Sequence, residues 1–176
     1  MAEMWDVLDE HGNKKGYTVQ RGSPMDSSEY HLAVHVWIMN SKGEFLISKR
    51  TPNKPWGNLW ETTAGSAVAG DESLTTAIKE VREELGLLLN SVNGHHFKRY
   101  RRECDAELPN YFVDVWFFKH DFDIKDVVFQ PGETCDAKWA SKDVILQMMD
   151  DGSFIPKHIW PYIDELFSFA SKQITN

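Results

Sequence analysis

The sequence predicts an α+β sandwich, a mixed β-sheet flanked by helices. Two observations predict it. Apolar and other residues alternate in several short runs, above all His31 to Met39, where Leu32, Val34, Val36 and Ile38 interleave with Ala33, His35 and Trp37. The element order is also mixed: strands, one amphipathic helix, more strands, then terminal helices, with no internal repeat. That order fits a layered mixed sheet better than a strictly alternating doubly wound fold.

Taken in order, Met4 to Leu8 reads as a short strand, and His11-Gly12-Asn13 as a turn. Tyr17 to Gln20 pairs back as a hairpin. Residues 22–28 are loop-like and separate this hairpin from the body. The expected organisation is therefore a hairpin extension over 1–29 and a main domain over 30–176 that ends in a C-terminal helix. After the strand His31–Met39, Asn40-Ser41-Lys42-Gly43 turns the chain and Glu44 to Lys49 returns. A Pro- and Trp-containing loop follows from Pro52 to Gly57, then an extended stretch from Leu59 to Thr62. Gly65 to Gly70 is small and flexible. Asn93-Gly94 marks a turn between extended segments. Phe97–Arg102, Tyr111–Lys119 and Lys138–Ala140 read as strands. Lys142–Met149 and Tyr162–Ala170 have helical spacing.

Composition narrows the function. The 176 residues carry 19 Lys+Arg against 27 Asp+Glu, a net charge of −8. A sequence-independent nucleic-acid binder needs the opposite sign, because its affinity comes from neutralising phosphates. No apolar run approaches the ~18–20 residues of a bilayer span, and the N-terminus lacks a secretory pattern. Cys104 and Cys135 do not make a zinc motif or a disulfide framework. Two reduced thiols in a cytoplasmic protein are the expectation.

The chemistry is concentrated between Gly65 and Leu87. Leu74 to Leu85 is a helix, with Ser73 expected as its N-cap and Gly86 at C′. Asp71 and Glu72 sit where the helix dipole favours anions. At about 100° per residue, Leu74, Ile78, Val81 and Leu85 share an apolar stripe roughly 60° wide. Glu80, Glu83 and Glu84 gather in an arc of roughly 100° on the far side. Neighbouring carboxylates repel, so their clustering makes sense around a cation. Ligands that are all oxygen select a hard ion, Mg²⁺ or Mn²⁺.

This stretch resembles the box of the Nudix hydrolases, G-x5-E-x7-R-E-U-x-E-E-x-G-U, where U is a bulky aliphatic. Gly65 opens it, and Lys79-Glu80-Val81-Arg82-Glu83-Glu84-Leu85-Gly86-Leu87 closes it. All spacings hold. Asp71 stands for the first Glu and Lys79 for the Arg, each keeping its charge. The flanks over roughly residues 30–150 are similar to the family as well. The resemblance implies an α/β/α sandwich whose box is a loop–helix–loop. It implies Glu80, Glu83 and Glu84 as metal ligands with the Ala64 carbonyl, and Lys79 paired with Asp71 to orient the carboxylates. It further implies hydrolysis of a diphosphate linkage in a nucleoside diphosphate joined to another moiety. Glu83 and Glu133 are the candidates for accepting the proton of the attacking water.

Other residues are weighed on the sequence itself. Lys49, Arg50 and Lys54 are placed to meet an anionic substrate, and Trp56 and Trp60 to stack on a base or line the cleft. His31 and His35 share one strand face, where they serve local hydrogen bonds or, as the similarity to isopentenyl-diphosphate isomerases implies, contact substrate or metal. Lys98, Arg99, Arg101 and Arg102 split between two faces of a strand. The expected partner is a small-molecule diphosphate, and the hairpin offers a surface for a homodimer. Two alternatives share the fold. An isopentenyl-diphosphate isomerase needs a cysteine shortly before the box, and Leu59 to Ala64 has none. A non-catalytic sensing module would be expected to lose box glutamates, and all three are present.

Overall fold

A computed structural model describes residues 2–104 and 108–174. The strands are β1 (Met4–Leu8), β2 (Lys14–Gln20), β3 (Tyr30–Met39), β4 (Phe45–Arg50), β5 (Trp60–Glu61), β6 (Thr63–Ser66), β7 (Gly94–Arg102), β8 (Asn110–Lys119) and β9 (Thr134–Ala140). The helices are α1 (Ser73–Leu85), α2 (Lys142–Asp150) and α3 (Ile163–Lys172).

β3 organises the sheet. It is apolar on both faces, as a strand covered on both sides must be. Along its whole length it pairs in parallel with β8, from Tyr30 opposite Asn110 to Met39 opposite Lys119. Its other edge is shared: β1 meets it at Tyr30, β6 along Ala33–Val36 and β4 at Met39. β4 then turns to β9 and β5, so the sheet forks between β4 and β6. The chain crosses the fork at Thr62, which is buried and whose hydroxyl donates to the Val36 carbonyl.

Strand alternation splits the core into two layers. Ala33, Trp37 and Met39 of β3 join Val113, Val115 and Phe117 of β8 under α2 and α3. Val34, Val36 and Ile38 join Trp116 and Phe118 under Ala77, Val81 and Leu85 of α1. Helices therefore cover both faces of a mixed sheet, the sandwich that the sequence predicts.

Two local expectations change. The Gly65–Gly70 stretch is not all flexible, because Thr63–Ser66 pairs with β3. Its Gly and Ala residues lack the apolar alternation that marks a strand. The N-cap of α1 is Glu72, with no side-chain cap; Ser73 is the first helical residue, and its Oγ accepts the Trp116 indole N–H at 2.7 Å. A tertiary bond has taken the capping hydroxyl. Gly86 ends the helix as expected, with φ 69° and its N–H on the Arg82 carbonyl.

Candidate active site

The site begins where Gly65 passes under α1. A Cβ built on Gly65 would lie 2.0 Å from Cδ of Glu80, so the opening glycine is the space the Glu80 carboxyl group occupies. One turn on, Glu84 is buried and its Oε2 has no hydrogen-bond partner. Glu83 is exposed. The acidic arc of α1 is thus only partly solvated: the apolar stripe meets the sheet, Glu80 and Glu84 pack into the fork, and Glu83 alone of the three faces solvent.

The far end of α1 brings in a second segment. The last carbonyls of a helix need donors. Here Val128 N–H binds the Leu85 carbonyl at 2.9 Å and Gln130 N–H the Glu84 carbonyl at 3.1 Å. That docking delivers Glu133, whose carbonyl takes the Thr51 N–H and whose carboxylate pairs with Lys54. From β5 comes Glu61, buried, with both oxygens on Nη1 of Arg50 at 2.8 and 2.9 Å.

These carboxylates influence one another. Burial, then the charge of Glu83, pushes Glu80 up to about 7. Burial, then Glu61 and Glu80, pushes Glu84 well above the usual carboxylate range, against the pull of Lys54. Glu61 is raised by burial, with Arg50 opposing. Lys79 donates to Asp71 at 2.6 Å, and that bond raises its own pKa. The hairpin braces the box loop: Ala69 N–H binds the Met4 carbonyl at 2.8 Å and Gly70 N–H the Asp6 carboxylate at 2.9 Å. Arg21, held by Glu3 at 2.5 Å, lies near enough to favour the charged form of Glu80.

Of the residues singled out from sequence, Glu80, Glu84, Lys54 and Glu133 come within electrostatic reach of one another, with Ala64 on β6 beside Gly65. Arg50 is engaged with Glu61 and with the Pro55 carbonyl, which its Nε reaches at 2.8 Å. Trp60 is half-buried, with Lys138 Nζ 4.2 Å from its ring centre. Trp56 is 49% exposed. His31 and His35 lie on the α3 side of β3, across the sheet from α1. His31 stacks on Trp5 with 3.9 Å between ring centres, and His35 Nδ1 is 2.6 Å from the Tyr162 hydroxyl. Sequence reasoning passes over Glu61 and Arg21. An acid directly after Leu59–Trp60, within the extended stretch to Thr62, hints at Glu61; nothing local hints at Arg21.

Among the described residues, no three His, Cys, Asp or Glu side chains already form a cage for a metal ion. The donors gathered here are carboxylate oxygens, the kind a hard cation takes. Unpaired buried carboxylates are costly, and Glu84 keeps an unpartnered oxygen beside Glu80. No helix among the described residues is long and apolar enough to cross a membrane.

A family model of the NUDIX domain matches residues 29–158. Over 96% of both chains the sequence is 34% identical to the uncharacterized Nudix hydrolase lmo0368 of Listeria monocytogenes. It is 28% identical to Nudix hydrolase 3 of Arabidopsis thaliana across 97% of this chain, which spans 24% of that longer protein. It is also 22% identical to an isopentenyl-diphosphate Delta-isomerase of Citrobacter koseri over 81% of this chain and 80% of that one. Among solved structures, DR0079 of Deinococcus radiodurans shares the fold, with a TM-score of 0.73 over 93% of this chain and 98% of that one at 18% identity.

Proposed function

Because the chain belongs to the Nudix hydrolase family, we propose that it hydrolyses a diphosphate linkage in a nucleoside diphosphate joined to another moiety, using Mg²⁺ or Mn²⁺. One observation carries the reading: Glu84 is buried with an unpartnered oxygen, beside Glu80 and Glu61 and under Lys54. The charged form of such a group is expensive to bury unless something cationic completes it.

Glu80, Glu83 and Glu84 would hold the cation, together with the Ala64 carbonyl. When bound, the cation neutralises diphosphate oxygens and acidifies a water. A Mg²⁺ site keeps several waters and takes phosphate oxygens as ligands, which suits a site with no complete cage of side chains. The remaining work falls to the chain's own groups. Lys54 offers an ammonium to the diphosphate, exchanging its contact with Glu133 for a phosphate oxygen. Glu133, released, and Glu83 at the exposed edge of the arc are the two carboxylates able to accept the proton of the attacking water. The water oxygen bonds to one phosphorus and the bridging P–O bond breaks, giving two phosphate products. Lys79 and Asp71 hold the box loop against α1 so that Glu80 and Glu84 keep their positions. Arg50 holds Glu61 in place through two hydrogen bonds and opposes the effect of its burial.

The isomerase alternative lacks its cysteine. The stretch Leu59 to Ala64 has none, and the cysteines lie in the segment after β7 (Cys104) and in β9 (Cys135). The test is a panel of nucleoside-diphosphate derivatives with Mg²⁺, each product identified by which phosphate it retains. Cleavage between the phosphates of at least one member, abolished by a chelator, is expected. A panel left wholly intact overturns the reading.

A further inference from the structure

The loop from β4 to β5 is built as a rigid bracket. Its ends are closed by Arg50 N–H on the Leu59 carbonyl at 3.0 Å and Asn58 N–H on the Arg50 carbonyl at 3.1 Å. Inside, Gly57 N–H binds the Lys54 carbonyl at 2.9 Å, and the Arg50 guanidinium ties Pro55 to Glu61. The fit at Gly57 is so close that a Cβ there would lie 2.3 Å from the Pro52 carbonyl oxygen.

Within this bracket Trp56 has φ 55° and Asn58 φ 67°. Asparagine tolerates the left-handed region, but a bulky aromatic residue seldom enters it. Such conformations persist only where the surroundings over-determine them, and they gather at ligand sites. Core packing does not account for this one. Trp37 and Trp160 are fully buried and Trp60 is covered by Lys138, whereas Trp56 leaves half its surface in water. It stands two residues from Lys54, whose charge reaches Glu61, Glu80 and Glu84.

We propose that Trp56 is a specificity-determining residue, an indole platform on which the planar base of a nucleoside diphosphate stacks while the diphosphate lies by Lys54. This rests on the reading that the cleft takes a diphosphate. It divides the four substrate-side residues. Trp56 meets the base and Lys54 the phosphates. Arg50 and Trp60 shape the loop and touch neither. Stacking tolerates any base, so the platform selects for a ring rather than for one nucleotide.

Binding separates this inference from the hydrolysis reading. The measurement is calorimetry of ADP, UDP and methylenediphosphonate, with Mg²⁺, on the wild-type protein and on Trp56→Asn and Trp56→Phe. Asparagine accepts the left-handed backbone, so the bracket keeps its shape without the ring. In Trp56→Asn, Kd for ADP and UDP should rise at least ~10-fold, as loss of one stacked aromatic implies. Kd for methylenediphosphonate should stay within about twofold, and Trp56→Phe should recover most of the loss. The inference is overturned if the ring-free ligand weakens equally, if the nucleotides are unaffected, or if the wild type binds them no tighter than methylenediphosphonate. A protein that shows the selective loss but cleaves no diphosphate keeps the platform and refutes the hydrolysis; the reverse result does the opposite.

Discussion

At the residue scale, the site depends on which carboxylates have partners. Glu61 has Arg50, Glu133 has Lys54 and Asp71 has Lys79, while Glu84 keeps an oxygen with none. The Lys79–Asp71 pair is one hydrogen bond between residues eight apart, part-exposed at 44% and 26%. An arginine at 79 restores a planar, forked donor of the same charge. Lys79→Arg should therefore retain at least about half the wild-type kcat/KM, a barrier change of less than ~0.5 kcal/mol. A collapse of activity in a folded Lys79→Arg protein would show that the ammonium itself touches substrate. The box glutamates were legible because charges of one sign crowd one arc of a helix. Glu61 was not, because its importance arises only when β5 is laid beside α1. The histidines resolve in a similar way. Strand spacing puts His31 and His35 on one face, but only the placement of α1 and α3 shows that it is the face away from the carboxylates.

At the element scale, apolar periodicity located most strands and all three helices. It failed at β6, where Gly65 and Ala64 leave no alternation to read, and at the start of α1, where Trp116 takes the capping hydroxyl. Both failures are tertiary: a strand recruited by the edge of β3, and a serine recruited by β8. The hairpin is a further case. Its strands are legible, but not its role as a brace, which runs through Asp6 to the Gly70 N–H and to Lys14 at 2.9 Å each. Asp6→Ala removes the acceptor from a backbone N–H at the entrance to the box. It should lower stability by about 1 kcal/mol and kcat/KM by roughly threefold or more, through a loop that no longer holds Glu80 against Gly65. Urea unfolding and steady-state kinetics on the same variant check this. Unchanged kinetics alongside the stability loss would confine the hairpin to a structural part.

At the scale of the whole molecule, the fork in the sheet joins fold to function. One branch of the edge carries Glu61 and the Arg50 loop, the other carries Gly65, and α1 lies over the opening. The face opposite is a sealed aromatic core, and it sets the response to acid. Burial holds His35 down to about 3 and His31 to about 4, against an ordinary 6.5. The unfolded chain therefore takes up protons that the folded one refuses. The stability these neutral imidazoles contribute is intact above about pH 6.5 and is lost as pH falls from there towards 4 and 3. Glu80, raised to about 7, works in the opposite direction, so the clean quantity is a difference. The gap in unfolding free energy between wild type and His35→Phe should be constant above pH 7 and shift in favour of the variant as pH drops from 6.5 to 4. A gap independent of pH would contradict a buried, neutral His35.

Glu84 stands at the centre of the proposed cation-dependent diphosphate hydrolysis. Turnover of the best substrate in Mg²⁺ by Glu84→Gln, set beside its thermal unfolding without metal, tests it most directly. Replacing a buried carboxyl group whose charged form is disfavoured by a neutral amide of the same shape should leave the metal-free melting temperature unchanged or higher. The same change removes a cation ligand and should lower kcat by at least ~10²-fold. A folded Glu84→Gln protein that turns over at close to the wild-type rate would contradict it.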